Sequence, residues 1–296
     1  MTLAIAWRSE GRIHLASDTR ITLGDNQYSD VGIKVIAVPV IVTDTGGLGP
    51  GISEIFRQSY GFAYAGSFVN AGTFCEVIGE LLQHVQYVQE KGTLSFLTIC
   101  DFLVEYSSYI STEICAYLTR HGRYEFFFTG FCPKEQRLRA ARFRFEHADG
   151  HAQATYDEII RSEGEYVAIG SGASNAEARI KEDRDYRSML LVLNEVIDSK
   201  EVPSVGGDLQ YGSFGKDRNF GISGISRITL ETVIHNGQTY GPQEQRIFRY
   251  RGFGLYENWD PAEKPLWVTP SIVELHVPSN ELSVAHFRRQ RGIPST

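Results

Sequence analysis

Three side chains near the start of the chain have types that combine into a nucleophile. Thr2 follows Met1, Asp18 stands sixteen positions after Thr2, and Lys34 sixteen after Asp18. A threonine hydroxyl attacks a carbonyl poorly unless a base takes its proton. A free α-amine, with a reference pKa of about 7.7–8.0, is neutral and basic near neutral pH. A threonine at the very N-terminus therefore carries nucleophile and base in one residue. Met1 would acylate that amine, so the chemistry requires its removal, and threonine is small enough for that. Taken singly, the three residues have plainer readings. Thr2 can start a surface strand, Asp18 can end a strand at a turn, where Asp is common, and Lys34 can be an exposed strand residue.

The backbone must bring such residues together. Residues 2–7 alternate and favour strand, 8–11 (RSEG) read as a turn, and 12–17 return as a second strand. A sheet that begins at residue two is unusual, because chain termini are ordinarily loose. Residues 32–42 form a branched apolar run in which Pro39 predicts an edge or a break. The stretch 43–51 (TDTGGLGPG) is loop by composition, and 62–65 is a short strand closed by Gly66. Helical spacing of Phe74, Val77, Ile78, Leu81 and Leu82 predicts a helix over 69–90, and Phe96, Ile99, Leu103 and Tyr106 another over 94–118. Strands follow at 124–130, 138–145, 153–160 and 165–169. A third helix opens near Ser174 or Asn175, and a fourth covers 186–197. The remainder reads as strands at 208–212, 225–235, 246–251 and 272–277. Strands, paired helices, strands, paired helices and strands again suggest an α+β protein with two sheets face to face and helices outside. Past Gly221 the aromatics Phe248, Tyr250, Trp259 and Trp267 predict folded structure.

Several motifs together resemble one family. An initial Thr on a strand–turn–strand, the Ala16-Ser17-Asp18-Thr19-Arg20 step and Gly32-Ile33-Lys34-Val35 resemble the start of proteasome β subunits, HslV-type peptidases and their Anbu-type homologues. Ala63-Tyr64-Ala65-Gly66-Ser67 resembles the family's glycine turn before its first helix. Ala168-Ile169-Gly170-Ser171-Gly172-Ala173 resembles its strand–GSG–helix turn. The Ser204-Val205-Gly206-Gly207-Asp208 run is most like Anbu-type chains. The resemblance covers about residues 2–213. It implies a four-layer α/β/β/α sandwich of the N-terminal-nucleophile hydrolase type with extra C-terminal strands. Residues 1–220 would form that domain, and 221–296 an extension packed on it.

The resemblance also implies roles. Lys34 would lie beside Thr2 and favour loss of the hydroxyl proton; as a buried ammonium it needs a partner, for which Asp18 is the candidate. The Gly66 N–H would face the oxyanion. Ser171 and Ser204 would support the terminal amine, with Asp198 as the accompanying acid. The Thr22 backbone would hold an extended substrate by strand addition, and Tyr64 and Phe68 would flank the first specificity pocket. The implied activity is that of a threonine-type peptidase working through an acyl-enzyme on Thr2, without cofactor or metal. Its expected partners are a peptide or unfolded protein, further copies in a homo-oligomeric ring or spiral, and an ATP-dependent unfoldase. Read alone, Gly66 and Gly170-Ser171-Gly172 are ordinary turn chemistry. An amidase acting on small acylated molecules, or a non-catalytic ring subunit, are the rival readings. The connection between Lys34 and Gly66 is longer than in the family's compact members, and is expected near the cleft.

Composition removes other classes. The net charge of −7 leaves no global basic footprint for nucleic acid. Cys75, Cys100, Cys115 and Cys132 form no C-x-x-C pair, so neither a disulfide framework nor a metal site is expected. There is no signal-peptide pattern and no membrane-length apolar run. A reducing, cytoplasmic setting is the expectation.

Overall fold

The computed structural model describes residues 2–24, 27–44, 53–148, 151–180, 186–235, 238–254 and 270–277. The chain opens with the hairpin β1 (Leu3–Ser9) and β2 (Arg12–Asp18), turned by Glu10 and Gly11, both at positive φ. A small ribbon follows, β3 (Ile21–Gly24) with β4 (Gln27–Ser29), which the sequence does not announce because its strands are only four and three residues long. Next come β5 (Val35–Asp44) and β6 (Ser53–Gly66), paired along their length. The long connection between Lys34 and Gly66 is therefore mostly a hairpin. Thr43 and Asp44 are its last β5 residues, while 45–51 lie outside the described residues. The expected 62–65 strand is the apolar end of the longer β6, whose first half is too polar to read as a strand. Pro39 does not break β5. It is exposed where β5 has β6 on one side only, the edge position a residue without an N–H can occupy.

Helix α1 (Phe68–Leu81) starts at Ser67, whose hydroxyl accepts the Asn70 N–H as an N-cap. It stops short of the expected residue 90. Leu82 is buried, and its carbonyl accepts the Ile41 N–H at 2.8 Å, which ties the chain to the sheet. The strand β7 (Val85–Tyr87) then pairs in parallel with the end of β5. Helix α2 (Phe96–Leu118) is capped by Ser95. The strands β8 (Tyr124–Cys132), β9 (Arg137–Ala148), β10 (His151–Ile159) and β11 (Tyr166–Gly170) precede α3 (Ala173–Arg179) and α4 (Tyr186–Ser199). The chain continues with β12 (Leu209–Phe214), β13 (Phe220–His235), β14 (Gln238–Arg249) and β15 (Ser271–His276). Trp259 and Trp267 lie outside the described residues.

Two sheets result. One runs β11-β1-β2-β12-β13-β14, with β15 beside β13; the other runs β10-β9-β8-β6-β5-β7. Three of the apolar clusters among the described residues join the layers of this α+β fold. Phe62, Phe126 and Phe143 of the second sheet meet Phe74 and Ile78 of α1 and Leu103 of α2. Ile5, Trp7 and Tyr211 of the first sheet meet Leu190, Leu193 and Val196 of α4. Ala4, Ile13 and Leu15 of the first sheet meet Val35, Ala63 and Phe127 of the second. The small residues of this last cluster let the two sheets approach closely where the hairpin begins.

Candidate active site

Pairing converts distant sequence positions into neighbours. In β1, Ala4 sits opposite Ser17 of β2 and Leu3 opposite Gly170 of β11. Thr2, at the head of β1, is thereby flanked by Asp18 and by the residues after Gly170. Thr2, Asp18 and Lys34 are almost completely buried, at 2%, 0% and 1% exposure. Lys34 Nζ contacts the Thr2 hydroxyl and the Arg20 carbonyl, and donates to Asp18 Oδ1 at 2.9 Å. Asp18 Oδ1 also accepts the Leu3 N–H (3.1 Å), while Oδ2 accepts those of Arg20 (3.2 Å) and Gly206 (3.0 Å). Three backbone donors and one ammonium thus satisfy the buried carboxylate. Burial is the larger influence and leaves the Lys34 pKa below its ordinary value, while the adjacent Asp18 opposes it. An ammonium held against a hydroxyl oxygen stabilises the alkoxide that forms when the proton leaves.

The Lys34 segment is held by residues to which the sequence assigns no such role. The Gln210 side chain on β12 accepts the Lys34 N–H at 3.0 Å and donates to the Gly32 carbonyl at 2.5 Å. Tyr64 donates its hydroxyl to the Ile33 carbonyl at 3.0 Å. The Gly32 N–H reaches the Thr19 carbonyl at 2.8 Å, and the Ser17 hydroxyl reaches the Leu3 carbonyl at 2.9 Å. Ser17 had a signal in the Ala-Ser-Asp step; Gln210 had none, because its meaning depends on a strand 176 residues away.

Two glycines allow backbone contacts that a side chain would forbid. Gly170 has φ +91°, and a Cβ there would lie 2.0 Å from the Thr2 carbonyl oxygen and 2.9 Å from Ala65 Cβ. Gly66 has φ +114°, and a Cβ would lie 2.6 Å from the Arg123 carbonyl oxygen. Ser171 follows Gly170, and its hydroxyl is 2.7 Å from that of Ser204. The loop carrying Ser204 is fixed from both ends. The Pro203 carbonyl accepts from Arg20 Nη1 (3.1 Å), while the Gly206 carbonyl accepts the Arg20 N–H (3.1 Å) and the Gly206 N–H donates to the Asp18 carboxylate (3.0 Å). Arg20 itself is clamped bidentately by Asp30 at 2.7 and 2.9 Å. Asp198 stands apart from the cluster. It is exposed on the last turn of α4 and accepts from Asn194 at 2.8 Å, which makes it a helix-surface acid.

The three residues expected to meet substrate occupy different settings. Thr22 is exposed on β3 and paired with Tyr28, whose ring lies 3.9 Å below the Arg20 guanidinium. Tyr64 is buried against Phe62 and sits behind the site, where it fixes the Ile33 carbonyl. Phe68 is 40% exposed. It lines a cleft of about 530 Å³ together with Ile33, Ile36, Val38 and Gly72. A second cleft, of about 510 Å³, opens beside Gly66, Gly170 and Ser171.

Among the described residues no group of three or more His, Cys, Asp or Glu is placed to hold a metal ion. All four cysteines are free thiols, and burial pushes that of Cys75 up to about 12, which removes it as a thiolate nucleophile. Among the described helices none is long and apolar enough to cross a membrane.

No family model matches the sequence, and no curated protein does. Solved structures do resemble the fold. One is Anbu (ancestral beta-subunit) from Yersinia bercovieri, with a TM-score of 0.50 and 15% identity over 72% of this chain and 81% of that one. Another is the Anbu (Gly-1) mutant from Hyphomicrobium sp. strain MC1, with a TM-score of 0.51 and 16% identity over 83% and 87%. Over most of its length the chain therefore has the fold of Anbu ancestral proteasome β-subunit structures.

Proposed function

We propose that the chain is a threonine-type N-terminal-nucleophile peptidase that cleaves peptide bonds through an acyl-enzyme on Thr2. The observation that carries this reading is the contact of Lys34 Nζ with the Thr2 hydroxyl inside a buried cluster with Asp18. Burying an ammonium and a carboxylate costs several kcal/mol per ion before their attraction is counted. A fold that accepts this cost directly beside the second residue of the chain is organised around that residue.

The mechanism follows from the groups present. Removal of Met1 frees the Thr2 amine, which takes the proton from its own hydroxyl. Lys34 stabilises the alkoxide, and Asp18 offsets part of the burial that lowers the Lys34 pKa. The alkoxide adds to the substrate carbonyl, and the Gly66 N–H receives the oxyanion. The amine returns its proton to the departing nitrogen, leaving an ester on Thr2. Water, activated by the same amine, then releases the acyl product and restores the hydroxyl. Ser171 and Ser204 orient the amine and that water. Thr22 holds an extended peptide along the free edge of β3. The acyl side chain enters the cleft lined by Phe68, and Tyr64 stiffens its Ile33 edge. The three apolar clusters are the interfaces of a four-layer α/β/β/α sandwich, with the strands after Gly221 as an added extension. We place the enzyme in the cytoplasm, in a ring or spiral of identical copies fed by an ATP-dependent unfoldase.

The two clefts have volumes typical of small-molecule sites, which also suits an amidase acting on a small acylated amine. Parallel turnover panels of peptides and of simple N-acyl amides separate the two. The peptidase reading expects turnover of peptides alone, lowered by about a thousandfold or more in Thr2→Ala. Peptide turnover that survives Thr2→Ala overturns it, and turnover of the amides alone transfers the assignment to the amidase.

A further inference from the structure

The second cleft lies across Gly66 from the first. In the six-stranded sheet β6 stands between β5 and β8, so the turn at Gly66 has the Phe68 cleft on its β5 side and the other cleft on its β8 side. A substrate whose acyl half occupies the first cleft and whose carbonyl meets Thr2 must send its leaving half toward the second. The charged side chains around that second cleft are mostly neutralised. Glu125 accepts from Arg142 at 2.7 Å and from the Gly170 N–H at 3.2 Å, and Arg144 is ion-paired with Asp157. Arg123 differs. It is exposed, lines the cleft, and has no carboxylate partner among the described residues. Its backbone is nevertheless fixed, because its carbonyl accepts the Ser67 N–H at 2.9 Å and packs against Gly66. The result is an unspent guanidinium anchored beside the turn that borders the nucleophile.

We propose that this cleft is the subsite for the leaving half of the substrate, and that Arg123 selects a carboxylate there. That carboxylate comes from an acidic side chain or from the free C-terminus of a short leaving fragment. The planar guanidinium suits it, since its paired N–H groups match carboxylate geometry. Lys34 and Asp18 cancel each other close by, which leaves Arg123 to set the sign of the local field. The proposal rests on the peptidase reading for the direction in which substrate crosses Thr2.

The test uses fluorogenic peptides with one acyl half and four leaving halves: Asp against Asn at the first leaving position, and a two-residue leaving half ending in carboxylate against carboxamide. The acidic member of at least one pair should be cleaved with a kcat/KM about fivefold higher, the scale of an exposed ion pair. The preference should vanish in Arg123→Met, survive in part in Arg123→Lys, and fall with added salt. The pair that responds identifies the source of the carboxylate. A second arm needs no cleavage: the Thr2→Ala protein should bind the acidic peptides about fivefold tighter by fluorescence anisotropy, again through Arg123. Arg123-dependent binding without turnover by the native protein removes the peptidase reading and leaves the subsite standing. Equal binding and equal turnover of acid and neutral members, or a preference unchanged in Arg123→Met, overturns the proposal.

Discussion

At the scale of residues, the site is an exercise in satisfying buried charge. Lys34 and Asp18 are tolerable only because the carboxylate collects three backbone N–H groups as well as the ammonium. The triad of types was legible in the sequence because two antiparallel strands and one loop bring fixed spacings together. Gln210 and Gly206 were not, because a carboxamide or a backbone N–H acquires its role only from tertiary placement. His14 behaves in the opposite way to the site. It is stacked on Trp7 at 5.0 Å and lies 2.8 Å from the Tyr211 hydroxyl. Burial lowers its pKa from 6.5 to about 4. The unfolded chain therefore binds a proton near pH 6.5 that the folded chain refuses until about pH 4. Between those values the unfolded state holds more protons, so stability falls as the pH drops and levels off below about 4. With about 1.4 kcal/mol for each pKa unit, the loss is of order 3 kcal/mol. Urea unfolding at pH 7 and pH 4.5 should show this slope in the native protein and a clearly smaller one in His14→Gln. Equal slopes would remove His14 as the cause.

At the scale of elements, the recurring problem is the unfinished edge. Strand β10 ends its sheet, and its outward N–H groups would be open to a further strand. Helix α2 covers them with hydroxyls: Thr112 accepts the Ala152 N–H and Ser108 the Ala154 N–H, each at 2.9 Å. Thr112→Val keeps the shape and removes the acceptor. It should cost about 1 kcal/mol and speed hydrogen exchange at Ala152; unchanged exchange would show that the hydroxyl does not protect the edge. This use of Ser and Thr explains why α2 was readable as a helix from its apolar stripe while its polar face carried no message. The end of α1 departs from its helical spacing for a related reason. The Leu81–Leu82 pair continues the helical spacing and no glycine follows, yet the Leu82 carbonyl is claimed by Ile41 of β5. Helical periodicity records which residues are apolar, and here a buried leucine serves the sheet edge rather than another turn.

At the scale of the whole molecule, the strands after Gly221 are woven into the fold that carries the site. Ile225 and Leu275 belong to the same apolar cluster as Trp7 and Leu193. Arg227 and Arg249 both reach the Asp208 carboxylate at 3.3 Å, and the Asp208 N–H is bonded to Thr19, the neighbour of Asp18. A chain ending at Gly221 loses those apolar contacts and leaves Asp208 without its cations. The loss should exceed about 4 kcal/mol, enough to abolish a cooperative thermal transition in a marginally stable protein. A sharp transition in the shortened chain would show instead that the extension is dispensable. The central claim, that Thr2 is a working terminal nucleophile, is tested most directly by intact mass with and without a peptide epoxyketone. That reagent closes its ring only on a residue bearing both a free amine and a hydroxyl. The native protein should be lighter by Met1 and gain a single adduct, absent from Thr2→Ala. A chain that retains Met1 and takes no adduct would contradict that claim.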